Sequence, residues 1–153
     1  MTECCCPPSP AQSTRKCPAC DGRTAAVDLS TVKALLTPAA LGLLEMVTFR
    51  FCPEPACDAV YVSDSGQVFR VEDVRVPVWQ KQPSGHRMLC YCFGETERDL
   101  HTEFGASEVL ARIRAHIAER RCACEVRNPR GSCCLGDLVA AAARLQTLHE
   151  VEP

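Results

Sequence analysis

The sequence is poor in aromatic residues, has no long apolar run and has no extended stretch of one charge. Five Phe, two Tyr and one Trp in 153 residues leave few large core-formers, and alanine supplies much of the 46% hydrophobic fraction. Such a chain, its N-terminal half above all, is expected to need a cross-link beyond apolar burial, and a bound metal would supply one. No apolar window reaches the roughly 18 residues that mark a membrane helix. Met1 to Pro10 show no apolar run behind a basic start. Neither membrane insertion nor a signal peptide is therefore expected. The net charge of −2 includes no long basic run, so nucleic acid binding has little electrostatic support. Arg112, Arg114, Arg120 and Arg121 give only a local positive patch. There is no Ser–His–Asp order, no phosphate-cradling glycine loop and no pair of carboxylates suited to a cleft. These residues leave undecided whether the chain is an enzyme.

What the sequence has in quantity is cysteine, 13 in all. The count is odd, so a complete disulfide framework would leave one thiol over. A cytoplasmic location is expected, where thiols stay reduced and clustered cysteines point to metal binding or catalysis.

Residues 1–15 form a Cys/Pro-rich tail, expected to be disordered. Its run Cys4-Cys5-Cys6 could capture a soft ion such as Cu(I). Residues 16–85 are expected to be a ribbon-like zinc-binding subdomain with one helical segment. Cys17-Pro-Ala-Cys20 is a C-x2-C knuckle followed by a turn. The apolar period over Thr31–Leu44 predicts a helix, with Pro38 either breaking it or opening a second one. Strands are expected over 46–51, 59–62 and 68–71, with a Pro-interrupted edge strand over 74–78. Cys52-Pro-Glu-Pro-Ala-Cys57 is a C-x4-C loop between two of these strands. Cys17, Cys20, Cys52 and Cys57 thus make two knuckles, the plan of a zinc ribbon, and four thiolates suit tetrahedral Zn(II). A thioredoxin-like role for Cys17 and Cys20 would want the pair at a helix N-terminus, whereas here it precedes a turn.

Residues 86–150 are expected to be a helical subdomain, with Trp79 packing between the two halves and His86 on a surface loop. Cys90 and Cys92 form one C-x-C, Cys122 and Cys124 a second, and Cys133 and Cys134 are adjacent. Between Cys92 and Cys124 lie 31 residues, mostly helical in pattern. Thr96 and Asp99 have the form of a capping box, for a helix ending near Phe104-Gly105. Ser107 is expected to cap a second helix with Val109, Leu110, Ile113 and Ile117 inward, and Asp137 a last one through Leu148. His101, His116 and His149 fall on or near these helices and are expected at the surface. Two distant thiol pairs carried to one point suggest a buried metal or iron–sulfur centre. Gly131 and Gly136 would let backbone pass close to sulfide, and the helix starts near Cys92 and Cys134 could face an anionic centre. The fold class is therefore α+β: a small zinc-ribbon-like antiparallel subdomain followed by a helical metal-binding one.

Cys-Tyr-Cys-Phe-Gly at 90–94 and Cys-Ala-Cys-Glu-Val-Arg-Asn-Pro-Arg-Gly-Ser-Cys-Cys-Leu-Gly-Asp at 122–137 resemble the N-terminal domain of the archaeal-type copper chaperone CopZ. The resemblance covers about residues 16–148. That family implies a zinc site together with a [2Fe–2S] cluster in a fold similar to bacterioferritin-associated ferredoxin. It assigns the cluster to Cys90, Cys92, Cys124 and Cys134, and zinc to Cys17, Cys20, Cys52 and Cys57. Cys133 and Cys134 are poorly separated as ligands. Cys122 and Cys133 would lie beside the cluster as auxiliary thiols, open to Cu(I) or to ligand substitution. The last interval is longer here than the ferredoxin family's C-x2-C.

The resemblance implies copper handling: one-electron transfer, including reduction of Cu(II) to Cu(I), or passage of copper to a partner chaperone or copper-transporting ATPase. No M-x-C-x-x-C copper-delivery loop occurs in these 153 residues. Delivery then falls to another chain or a segment beyond this sequence, or the chain does only the redox part. An electron donor is also implied, and the alanine-rich helical faces would permit a homodimer. The competing reading is a sequestration protein whose two centres are purely structural.

Overall fold

The computed structural model describes residues 15–101 and 105–151, with side chains through 145. Its fold is α+β. Strands β1 (Ala25–Val27), β2 (Phe49–Phe51), β3 (Ala59–Ser63) and β4 (Val68–Arg70) form an antiparallel sheet in the order β1-β2-β3-β4. The register places Phe51 opposite Ala25 on one side and Tyr61 on the other, and Tyr61 opposite Phe69. Four of the eight aromatics lie in this sheet. The Phe49 and Phe69 rings lie 5.7 Å apart, and Phe51 and Tyr61 6.3 Å. Phe49, Phe51 and Tyr61 are fully buried with Val32, Leu35 and Val60.

Two helices cover this core. α1 (Leu29–Leu35) stops before Pro38, which then stands in the first turn of α2 (Pro38–Leu41). Thr37 caps that helix by accepting from Ala40 N at 3.3 Å. Proline locks its own φ and has no N–H to lose at a helix start, so the segment divides there. Val74 does not begin an edge strand. It makes one isolated bridge to Leu36, and Val78 is buried in the sheet's core.

A second apolar core lies in the C-terminal half. A short hairpin, β5 (Met88–Cys90) and β6 (Glu95–Thr96), leads into α3 (Glu97–Leu100). Thr96 and Asp99 form the expected capping box, with Thr96 N donating to Asp99 Oδ2 at 2.7 Å. α3 ends at Leu100, and residues 102–104, where a longer helix was expected to end, lie outside the described residues. α4 (Gly105–Ala118) begins before Ser107, so Ser107 is inside the helix rather than its cap. Val109, Ile113 and Ile117 are buried along it, one turn apart. α5 (Cys124–Arg127) is a single turn within what reads as a loop. α6 (Leu135–Val151) starts directly after Cys134, and Asp137 sits in its first turn instead of capping it. Leu138, buried with Ile113 and Leu89, closes this core. None of the described helices is long and apolar enough to cross a membrane.

The two cores meet along a polar seam. The buried Tyr61 hydroxyl donates to Pro129 O at 2.7 Å, and Thr31 Oγ1 donates to Glu125 O at 2.5 Å. Tyr91 accepts from Trp79 N at 2.9 Å and donates to Pro77 O at 2.6 Å. α1 lies against α5. Trp79 packs on the helical core with Arg87 over its ring.

Candidate metal centres

The first centre is built by two knuckles. The chain reverses after Cys17, with Asp21 N donating to Cys17 O at 2.8 Å and Cys17 N to Gly22 O at 2.8 Å. Gly22 is held so close that a Cβ there would come within 3.2 Å of Cys20 Sγ, and its N–H points at the same sulfur from 3.4 Å. The second knuckle leaves β2 at Cys52, whose N–H bonds Val60 O at 2.9 Å, and turns through Cys57 N to Glu54 O at 3.1 Å. The sulfurs of Cys17, Cys20, Cys52 and Cys57 all lie within 4.8 Å of one another. Cys20 and Cys52 are 3.7 Å apart. Metal–sulfur bonds of about 2.3 Å place tetrahedral thiolates about 3.8 Å apart, so this contact is already the right length. Burial pushes the Cys52 thiol up, and the Lys81 ammonium, which donates to Glu54 O at 2.7 Å, works against that shift. A soft divalent cation would resolve the conflict by taking four thiolates out of water together.

The second group lies in the helical half. Cys90, Cys124 and Cys134 are buried, and Cys92 is half-buried. Cys90 ends β5, Cys92 lies in the hairpin turn, Cys124 opens α5 and Cys134 immediately precedes α6. Their thiols influence one another in series, Cys90 with Cys134, Cys134 with Cys124, and Cys124 with Cys92, and the last pair is in hydrogen-bond contact. The Cys92–Cys124 separation is 3.5 Å. Ala123 N donates to Cys92 Sγ at 3.2 Å.

Hydrogen bonds from Cys124 and Cys90 lower Cys134 to about 4. The Cys124 hydrogen bond, helped by Ala123 N and the Arg127 charge, lowers Cys92 to about 7. Cys90 and Cys124 are pushed up as the proton-keeping partners, by the hydrogen bond to Cys134 and by those to Cys133, Cys134 and Cys92 respectively. Buried thiols that can lose charge repulsion only by sharing protons form a donor set for a cationic centre.

The segment from Cys124 to Cys134 is held from both sides. Asn128, buried, donates to Ser132 O at 2.9 Å and accepts from Arg130 N at 3.1 Å. Arg130 reaches Asp137 Oδ2 at 3.0 Å. Gly131 has φ +71°, and a Cβ there would lie 2.9 Å from Thr31 Oγ1. That contact with α1 by itself demands a residue without a side chain there. Gly136 has open space where a Cβ would be.

The other expected residues are dispersed. Cys133 is half-buried, packs on the same core and pushes the Cys124 thiol up. Cys122, half-buried against the same core, is disulfide-bonded. Cys4, Cys5 and Cys6 lie outside the described residues, as does the side chain of His149. His86 and His101 are exposed. His116 is half-buried and stacks on Phe93, with ring centroids 4.4 Å apart. In the basic patch, Arg112 is tied to Glu95 at 2.5 Å, and Arg121 pairs with Glu119.

Sequence reasoning did not single out Thr31, Tyr61 or Tyr91, which join the two halves at the second centre. A Thr on an apolar helix face and a Tyr in a buried strand read as core, and only the tertiary fold shows where their hydroxyls go.

Comparisons with known proteins agree with this geometry. The CopZ family profile described as a zinc binding domain matches residues 14–75. The X-ray structure of the Archaeoglobus fulgidus CopZ N-terminal domain superposes with a TM-score of 0.68 at 28% identity. That similarity covers 86% of this chain and 98% of the archaeal one. No curated protein matches. The chain thus carries a CopZ-type zinc-binding domain over residues 14–75, set within the fold of a CopZ N-terminal domain.

Proposed function

We propose that the protein is a two-centre metalloprotein of copper handling, with zinc on Cys17, Cys20, Cys52 and Cys57 and a [2Fe–2S] cluster on Cys90, Cys92, Cys124 and Cys134. The observation that carries the second assignment is the gathering of Cys90, Cys124 and Cys134 in one buried core with Cys92 packed against it, the Cys92 and Cys124 sulfurs 3.5 Å apart. These four residues come from two hairpin positions and two helix starts, so no local motif explains their convergence. Bound there, the cluster would supply reversible one-electron exchange.

The chain's own residues prepare the site. Cys92 and Cys134 are held below the ordinary thiol range, and Ala123 N–H donates to the Cys92 sulfur. Asn128, Thr31 and Tyr61 hold the segment that carries two of the ligands. Cys133 places one more sulfur on Cys124, where copper as cargo would meet a soft donor. Thiolates prefer Cu(I), so a single electron delivered to Cu(II) beside Cys133 would produce the form the site retains. A reducing compartment, a separate electron donor and a copper-accepting partner chain complete this reading.

The test is direct. The anaerobically reduced protein is mixed with stoichiometric Cu(II), and the visible bands are followed together with a Cu(I)-specific chelator. Return of the oxidised spectrum with matching Cu(I) supports the reading. Copper bound with no spectral return would leave sequestration as the function.

A further inference from the structure

At the seam between the halves lies a cleft of about 420 Å³. Its walls come from distant parts of the chain: Ala34 and Leu35 of α1, Arg75 and Val76 of the connector, and Val126 and Arg127 of α5, with Tyr91 at one end. Arg75 is fixed by its backbone, whose N–H bonds Leu35 O at 2.9 Å, and among the described residues its guanidinium reaches only Ala34 O, at 3.5 Å. Arg127 makes no ion pair or hydrogen bond with its guanidinium among the described residues.

Arg15, Arg50, Arg70, Arg87, Arg112, Arg121 and Arg130 each hold a carboxylate. Arg23, Arg98, Arg114, Arg120 and Arg144 are exposed and also hold no carboxylate among the described residues, but none of them lines this cleft. The cleft thus brings together, across an apolar floor, two cations that have no carboxylate partner among the described residues. Guanidinium groups placed this way suit carboxylates bidentately. The position is also specific. Tyr91 stands between Cys90 and Cys92, and Arg127 is close enough to Cys92 to act on its charge.

We infer that the Arg75–Arg127 cleft is the docking site for the carboxylate-bearing face of an acidic one-electron partner protein. This inference rests on the electron-transfer reading above. A partner seated there would sit beside Tyr91 and Cys92, at the half-buried edge of the sulfur series. Val126, exposed at the cleft rim, would be covered on docking. The charge of the two arginines would steer the partner and fix its orientation, with an effect that salt screens.

The test uses the full metal-loaded chain, reduced with dithionite and freed of excess reductant. One electron then passes from the reduced protein to ferricyanide, giving ferrocyanide, with no bond made or broken. Ferricyanide serves as a small anionic oxidant, hexaammineruthenium(III) as a cationic one, and polyglutamate as an acidic polypeptide competitor. At low ionic strength, R75E/R127E is expected to slow oxidation by ferricyanide roughly tenfold and not to slow oxidation by the cationic ion. Polyglutamate is expected to inhibit the wild type and not this variant. The double reversal R98E/R114E, equal in charge but on exposed positions of α3 and α4, is expected to do neither. Iron and zinc contents check that each variant is loaded. Equal slowing in both double variants, or inhibition by polyglutamate that survives R75E/R127E, would overturn the docking site alone. A reduced wild type that gives no electron to either ion would overturn the electron-transfer reading beneath it as well.

Discussion

Thr31, Tyr61 and Gly131 show how little chemistry is needed to place a ligand-bearing segment. The Tyr61 hydroxyl is the buried donor to Pro129 O. Tyr61→Phe leaves that carbonyl unsatisfied, and a loss of about 1–3 kcal/mol is expected in chemical denaturation. The same variant should release iron to a chelator faster than wild type. Thr31→Val removes the bond to Glu125 O and should likewise speed release, whereas Thr31→Ser keeps the hydroxyl and should restore most of the wild-type rate. Gly131→Ala meets two penalties: a left-handed backbone costing about 1–2 kcal/mol for an L side chain, and a 2.9 Å approach to Thr31 Oγ1. It should destabilise the chain more than Gly136→Ala, where the space is open. The zinc quartet was legible from spacing because each knuckle is local and complete within a few residues. The hydroxyls were not, since Tyr61 and Pro129 are joined only by the fold.

At the scale of elements, proline, the capping box and the apolar period were readable, and short or irregular elements were not. The division at Pro38 and the Thr96–Asp99 box depend on neighbouring residues alone. β1, the β5–β6 hairpin and α5 span two to four residues each, too few for a period to show. They form because partners elsewhere pair with them. The turn after β3 illustrates a tertiary tie of this kind: Asp64 accepts from Arg50 of β2 and from Arg15. The hydrogen bond from Arg50 lowers the Asp64 carboxyl below its ordinary value. With the folded pKa below the unfolded one, its stabilisation is present above the unfolded carboxylate range. It is lost as pH falls through the folded pKa. The difference in denaturation midpoint between wild type and Asp64→Asn should therefore be full near neutrality and close on acidification. Taking the difference cancels the acid loss of metal that both proteins share.

Across the whole molecule, the seam joins the zinc-type knuckles' sheet to the segment between Cys124 and Cys134. α1 and β3 belong to the sheet core that the zinc knuckles complete, and they also supply Thr31 and Tyr61 to the segment between Cys124 and Cys134. Removing zinc with a chelator, or replacing Cys52 by Ser, should raise amide hydrogen exchange in β2 and β3. It should then raise exchange in residues 124–134, although none of the zinc ligands lies there. The central claim is that the second sulfur group holds a redox cluster and not a second structural ion. Anaerobic metal and acid-labile sulfide analysis, with an absorption spectrum of the same sample, tests it most directly. The account predicts a red-brown protein with about two irons and two sulfides per chain beside about one zinc. A colourless protein with about two zincs and no sulfide would contradict it.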